Sequence, residues 1–213
     1  MRYYKGVNLM DTVTKQYIET VKVSDIPWHR LTTSYGRATD FPDYLAVLWD
    51  MKDVDAIDAA GEELAQNIEH QSTLWHATPF ALIFLLRIFK KAVEEQGHNE
   101  VARYLSEALV DLFIVIAECI RDGLMLEHAD PLPKFEDMLN EEYLWSEEYD
   151  EDEDILRYEE EEVFPDDLFF SFYYYSLQVL LLCKPLLDKN KERDAVLLDL
   201  LTEIKDYGTY CKL

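Results

Sequence analysis

The stretch that decides the fold is Val54–Ala92, VDAIDAAGEELAQNIEHQSTLWHATPFALIFLLRIFKKA. Its first half predicts a helix over 54–69, because apolar residues recur every three or four positions: Val54, Ile57, Ala60, Gly61, Leu64, Ala65 and Ile68. After a connector at 70–77, Thr78-Pro79 predicts an N-cap and a first-turn proline. The next seven residues are all apolar, so the second helix is expected to be buried on every side.

Helical patterns extend in both directions from this pair. They predict three antiparallel helix pairs, 41–51 with 54–69, 79–95 with 100–122, and 166–187 with 191–207, while 12–23 fits either a short helix or an extended segment. We therefore expect a single all-α domain over 1–213, built as an α-solenoid of stacked antiparallel helix pairs with almost no β structure. Its parts are helix pairs over 27–124, an acidic irregular insertion over 131–165 and a C-terminal helix pair over 166–207.

The composition indicates a folded and strongly acidic protein. Of 213 residues, 49% are hydrophobic, and 44 acidic residues face 20 basic ones, which gives a net charge of −24. Such a charge repels nucleic acid and anionic membrane surfaces and favours a cationic partner. The uncharged stretch 168–183 is shorter than a membrane span requires and predicts a buried helix.

Cysteine usage and the N-terminal sequence bear on the cellular compartment. The three cysteines, Cys119, Cys183 and Cys211, form no CxxC motif, and the first two lie in apolar helical stretches where a free thiol packs as a small core residue. No apolar signal-peptide segment follows the first residues. We expect a reducing, cytoplasmic location.

The strongest functional signal is the acidic segment, defined as residues 136–167. It contains seventeen acidic residues and one basic residue, Arg157, and aromatic residues are interleaved among them. Three interpretations remain open: an interface with a basic protein, a solvated loop, and loose binding of divalent cations. The candidate partner-binding residues are Glu141, Glu142, Tyr143, Trp145, Glu147, Glu148, Tyr149, Asp150, Glu151, Asp152, Glu153, Asp154, Tyr158, Glu159, Glu160, Glu161 and Glu162.

The remaining polar residues do not form a catalytic motif. The run 150–154 lacks the EF-hand pattern, and Glu95 and His98 have Glu-x-x-His spacing with no second such pair. There is also no nucleophile elbow and no phosphate-binding glycine loop. His70, Gln71 and His76 could serve acid–base chemistry, but a structural role, with His70 and Gln71 capping the preceding helix, explains them better. We expect no enzymatic activity, no cofactor, no metal and no small-molecule substrate.

One stretch resembles a known family. The run LAQNIEHQSTLWHATPF, residues 64–80, resembles bacterial HEAT-repeat-like proteins, in which a helix ending in His-Gln-(Gly/Ser)-Thr-x-aromatic is followed by Ala-Thr, proline and an apolar helix. The resemblance covers residues 27–95 and implies that the α-solenoid is HEAT-like, with HEAT-like helix pairs over 27–124. This chain departs from the pattern by joining Ala77-Thr78 directly to Pro79-Phe80, where the relatives have a few more residues.

Many members of that family are encoded beside secreted polymorphic toxins and act as immunity proteins. The resemblance therefore implies an immunity protein of a contact-dependent toxin system, and the acidic charge favours a basic, nuclease-type toxin domain as its cognate partner. The other hypothesis is a general helical-repeat adaptor for protein–protein interaction. In that case an apolar groove would bind the partner and the acidic segment would only solvate the surface.

Overall fold

The computed structural model describes residues 10–123, 129–158, 165–188 and 191–210, with side chains omitted at 155–158 and 206–210. The described part is mostly helical, which confirms the all-α prediction. Its α-helices are α1 (Thr12–Thr20), α2 (Phe41–Asp50), α3 (Val54–Ile68), α4 (Ala77–Glu95), α5 (Glu100–Gly123), α6 (Glu151–Tyr158), α7 (Asp166–Leu181) and α8 (Glu192–Tyr210). Short 3₁₀ turns occupy Val23–Asp25, Trp28–Arg30, Phe135–Leu139, Glu141–Tyr143 and Lys184–Leu186.

Helix α4 lies at the centre of the molecule. Every residue from Ala77 to Leu86 is buried, as the uninterrupted apolar run predicts, and α4 packs against α2, α3, α5 and α7. The helix begins at Ala77, so Thr78 is its second residue rather than its N-cap, while Pro79 lies in the first turn as predicted. The core therefore forms around the second helix of the Val54–Ala92 stretch.

The outer helices differ in part from the predicted pairs. α2 packs on α3 and α4 packs on α5, as expected. The main neighbour of α8 is α5, and α7 packs on α4 and α5. α7 ends at Leu181, six residues before its predicted end, because a 3₁₀ turn containing Pro185 replaces its last turns. The segment 12–23, which the sequence left open, forms the helix α1 followed by a 3₁₀ turn.

Two short β-hairpins interrupt the helices. Thr32–Thr33 (β1) pairs with Gly36–Arg37 (β2), and Glu69–His70 (β3) pairs with Thr73–Leu74 (β4). The second hairpin turns through Gln71 and Ser72, both at positive φ (51° and 61°), so His70 and Gln71 belong to a hairpin and not to a helix cap. The Thr78 hydroxyl instead donates to the Ile68 carbonyl (2.5 Å) at the end of α3.

The end of α5 is shaped by a close approach. A Cβ atom at Gly123 would lie 2.3 Å from Cδ1 of the Tyr173 ring, so only glycine fits against α7 at this point. The Tyr173 hydroxyl in turn accepts a hydrogen bond from the Leu74 backbone N–H (3.2 Å). Gly123, the last residue of α5, therefore also serves packing against α7.

Two sequence predictions about buried and membrane-spanning segments can be compared with the structure. Cys119 and Cys183 are free and buried, and burial raises the pKa of each thiol to about 12. Cys211 lies outside the described residues. Within the described ranges, no helix has the length and apolar character needed to cross a membrane.

Candidate partner-binding surface

The acidic segment is attached to the helical core at its beginning. The side chains of Phe135 and Met138 are buried, and the Phe135 ring packs against Tyr17, Phe80 and Tyr175 at centroid distances of 4.8–5.3 Å. The hydroxyl of Tyr175 donates to the Leu132 carbonyl (2.6 Å) just upstream. The insertion is thus anchored by its own aromatic and apolar residues before most of its charged residues begin.

His76 contacts the same region through a buried hydrogen bond. Its Nε2 lies 2.7 Å from the Met138 carbonyl oxygen, and because a carbonyl only accepts, Nε2 carries the proton of the neutral ring. The imidazole is fully buried and stacks on Phe172 (5.2 Å), and Nδ1 has no hydrogen-bond partner among the described residues. Burial lowers the pKa of His76 from 6.5 to about 4, so this side chain is a neutral structural donor.

Arg30 makes the next contact between the core and the acidic segment. Its guanidinium forms two hydrogen bonds with the Glu141 carboxylate (2.9 and 2.6 Å), and its Nε donates to the Trp145 carbonyl (2.5 Å). The Trp145 N–H donates back to the Arg30 carbonyl (3.1 Å). Beside it, the Nε2 atom of His29 lies 3.0 Å from the Glu147 carboxylate. A single short turn, residues 28–30, therefore fixes residues 141–147.

Arg37 on β2 is the centre of the attachment. Its Nε and Nη2 atoms bind both oxygens of Asp154 (2.7 and 2.6 Å), and the two side chains are only 5% and 3% exposed. The guanidinium also donates to the carbonyls of His29, Ser146 and Glu148 (2.8–3.2 Å). It lies over the Trp145 ring (5.5 Å) as well as the ring of Tyr149 (5.3 Å). Residues 145–154 are folded around one cation.

The structure divides the predicted partner-binding residues into three groups. Trp145 and Asp154 are buried, so their side chains serve the fold, and Tyr143 is half-buried. Tyr158 has no described side chain, and 159–162 lie outside the described residues. The exposed members are Glu141, Glu142, Glu147, Glu148, Tyr149, Asp150, Glu151, Asp152 and Glu153. We call the last eight of these, from Glu142 to Glu153, the acidic face.

The acidic face presents seven carboxylates and one aromatic ring on a short stretch of chain. Tyr149 is 67% exposed although one face of its ring meets Arg37. Asp150 accepts a hydrogen bond from the Glu153 N–H (3.1 Å) and so caps the start of α6. The first turn of α6 carries three further members of the acidic face, Glu151, Asp152 and Glu153. Within the residues described, no group of three potential metal ligands converges. The arrangement suits recognition of a cationic surface.

The arginine anchors were absent from the sequence prediction. Arg30 and Arg37 lie more than a hundred residues before their carboxylate partners, so no local spacing relates them. The sequence signal that could have identified these anchors is the occurrence of two arginines near the N-terminus of a chain whose acidic residues cluster over 136–167. His70, for which a structural role was expected, lies in the β3–β4 hairpin, and its Nδ1 is 3.4 Å from the Tyr35 hydroxyl.

Comparison with known proteins gives no identification: no family model, no curated protein and no solved structure matches the chain.

Proposed function

We propose that this protein is an immunity protein that binds and neutralises a basic, secreted toxin domain through the acidic face. The observation that carries the proposal is the exposure of seven carboxylates and Tyr149 on a segment that Arg30 and Arg37 hold in a defined conformation. Interfaces between proteins of opposite charge use charges to speed encounter and aromatic rings as buried anchors. A held segment also loses less conformational entropy on binding than a free loop would.

The HEAT-like architecture is part of the same proposal. The first helices of successive predicted pairs pack on one another (α2 on α4, α4 on α7), and so do the second helices (α3 on α5, α5 on α8). That pattern is what stacked helix pairs produce. It supports a solenoid-like scaffold that displays the acidic insertion from one side, as the resemblance over residues 27–95 implies.

A nuclease-type toxin is the target class that the charge favours. Nucleases bind their substrate through a positive surface, and a protein with a net charge of −24 and a clustered acidic face can occupy that surface. In this proposal the carboxylates take the place of phosphates, and Tyr149 supplies an apolar contact beside them. The protein itself needs no catalytic group, cofactor or metal, and we infer a cytoplasmic location for it.

The test begins with capture of the partner by full-length protein from the source lysate at low and high salt, followed by mass spectrometry. One basic protein with a toxin-like domain, lost at high salt, is the expected result. Several unrelated cellular proteins, retained at high salt, would contradict the proposal and favour the adaptor hypothesis.

Two charge-matched variants then locate the interface. Replacing Glu151, Asp152 and Glu153 by their amides removes three charges from the acidic face, whereas the same change at Asp55, Glu62 and Glu63 removes three exposed charges from α3. We expect the first variant to associate about tenfold or more slowly with the captured toxin and to show a weaker salt dependence. Equal association rates for both variants would place the interface elsewhere.

A further inference from the structure

A groove that shares no lining residue with the acidic face lies between α2, α4 and the turn after α1. This groove has a volume of about 520 Å³ and is lined mainly by apolar side chains, among them Leu45, Phe84 and Ile88. Trp49, 46% exposed, forms one wall. Both the volume and the apolar lining are typical of pockets that bind small organic molecules, which range over about 300–1,000 Å³.

The groove contains a cation that no carboxylate neutralises among the described residues. Arg87, on α4, lines the groove and lies over the Phe84 ring (5.1 Å). Two of its N–H groups donate to the carbonyls of Val21 and Ile18 (2.7 and 2.6 Å), and these dipoles orient the guanidinium without cancelling its charge. Arg37, by contrast, forms an ion pair with Asp154. An arginine left without a counter-ion in so acidic a chain is an unusual arrangement.

The other charged residues of the groove do not supply that counter-ion. The Asp50 carboxylate, also in the lining, is engaged by Lys52 at 2.6 Å. Lys22 adds a second cation to the lining. Lys91 lies next to the groove, over the Trp49 ring at 4.8 Å, and donates to the Trp49 carbonyl, but it is paired with the Glu95 carboxylate (3.9 Å) and adds no unpaired charge. The local charge is therefore positive against an apolar background.

We propose that this groove binds a small monoanion with an apolar body, such as an alkyl or aryl carboxylate. The anionic group would pair with Arg87, which lines the groove and has three N–H donors without a partner among the described residues, and the body would fill the space between Trp49, Leu45 and Ile88. A single carboxylate on an apolar body suits the groove better than a polyanion, because the chain's overall charge of −24 repels each additional negative charge. The proposal is independent of the acidic face and its partner.

Burial supports the pairing. Desolvation lowers the pKa of Arg87, which means that its charge is poorly solvated in the free protein. A carboxylate in the groove would relieve that cost and form charge-assisted hydrogen bonds, which are stronger than neutral ones. A neutral alcohol of equal length could not form this ion pair and would keep the apolar contacts alone.

Sodium decanoate, kept below its micelle concentration, is the probe, with decanol as the neutral analogue. Titration of the full chain by calorimetry, with tryptophan fluorescence as a second readout, should give saturable binding of decanoate. Decanol should bind about tenfold or more weakly, because it cannot form the ion pair with Arg87. Absence of saturation up to about 1 mM decanoate, or equal affinities for the two probes, would overturn the proposal.

Variants test the two sides of the site separately. Arg87→Met and Trp49→Ala should each weaken decanoate binding by about tenfold or more, while Arg103→Met, which removes an exposed cation on α5, should leave it unchanged. Trp49→Ala does not touch the contacts of Arg87 with α1, so it remains informative if Arg87→Met loosens that helix. Unchanged binding in Trp49→Ala, or binding of acidic peptides but not of decanoate, would contradict the assignment.

Discussion

Arg37 and Arg87 show two ways in which an acidic protein places an arginine away from solvent. Arg37 is almost fully buried, and Asp154 neutralises it while backbone carbonyls use its other donors. Arg87 is half-buried, and its described partners are two carbonyls and an aromatic ring. The first arrangement is complete and holds a surface in place. The second leaves a positive charge available for the small monoanion that we propose as a ligand.

The difference bears on how each region contributes to function. Around Arg37 the cation holds the chain in a defined conformation, and the nearby exposed carboxylates form the surface for which we propose a partner. Around Arg87 the apolar lining of α2 and α4 surrounds a cation that has no internal anion among the described residues. Surface charge alone would identify only the first region, because the second is a local exception to the net charge of −24.

Arg37→Met should have the largest effect. It leaves the Asp154 carboxylate buried without its partner, and removing one member of a buried ion pair costs about 3–5 kcal/mol. We expect this loss in the free energy of unfolding, measured by urea denaturation. Lys52→Met, which removes the exposed partner of Asp50, is the control and should change stability by less than about 1 kcal/mol. Similar losses in the two variants would mean that Arg37 does not organise the acidic segment.

Acid should loosen the acidic segment through His76. In the folded protein the pKa of His76 is about 4, whereas the ordinary value is 6.5. Between these values the unfolded chain binds more protons, so lowering the pH from 6.5 to 4 favours unfolding, by about 3 kcal/mol in total.

The free energy of unfolding measured across this pH range tests the effect of His76. His76→Gln should lose most of this particular slope, while His29→Gln, which changes an exposed imidazole beside Glu147, should keep it. A wild-type slope in His76→Gln would assign the acid sensitivity to other groups.

Arg87→Met should have the smallest effect of the three on stability, about 2 kcal/mol. The loss comes from the two hydrogen bonds to the Ile18 and Val21 carbonyls, and no buried carboxylate is left behind. Hydrogen exchange should show the change mainly in the amides of α1. A loss as large as that of Arg37→Met would show that Arg87 has a buried anionic partner, and the contrast between the two arginines would fail.

The sequence predicts the helical core well because local periodicity determines it. The apolar run from Phe80 predicted a helix buried on all sides, and α4 is such a helix. The apolar face of the preceding helix was also correct at Ile57, Ala60, Leu64 and Ile68. These predictions depend on spacing within one element, which the sequence displays directly.

What the sequence did not predict depends on contacts between distant elements or on unusual backbone conformations. The hairpin at 69–74 turns through Gln71 and Ser72, which are not the residues that normally mark a turn with positive φ. The division of the acidic segment into buried and exposed members depends on Arg30 and Arg37, which the chain brings to it from far away. Composition located the candidate surface but could not separate Asp154 from its exposed neighbours.

The pairing of Arg37 with Asp154 also has a consequence for synthesis on the ribosome. The two residues are separated by 117 positions, so at about 5–20 residues per second the Asp154 codon is read roughly 6–23 s after the Arg37 codon. During that interval β1, β2 and the turn at 28–30 lack the segment 141–154 that covers them. The nascent protein therefore acquires its acidic face only after the central helices have emerged, and a chain truncated before residue 154 would display an unpaired arginine instead.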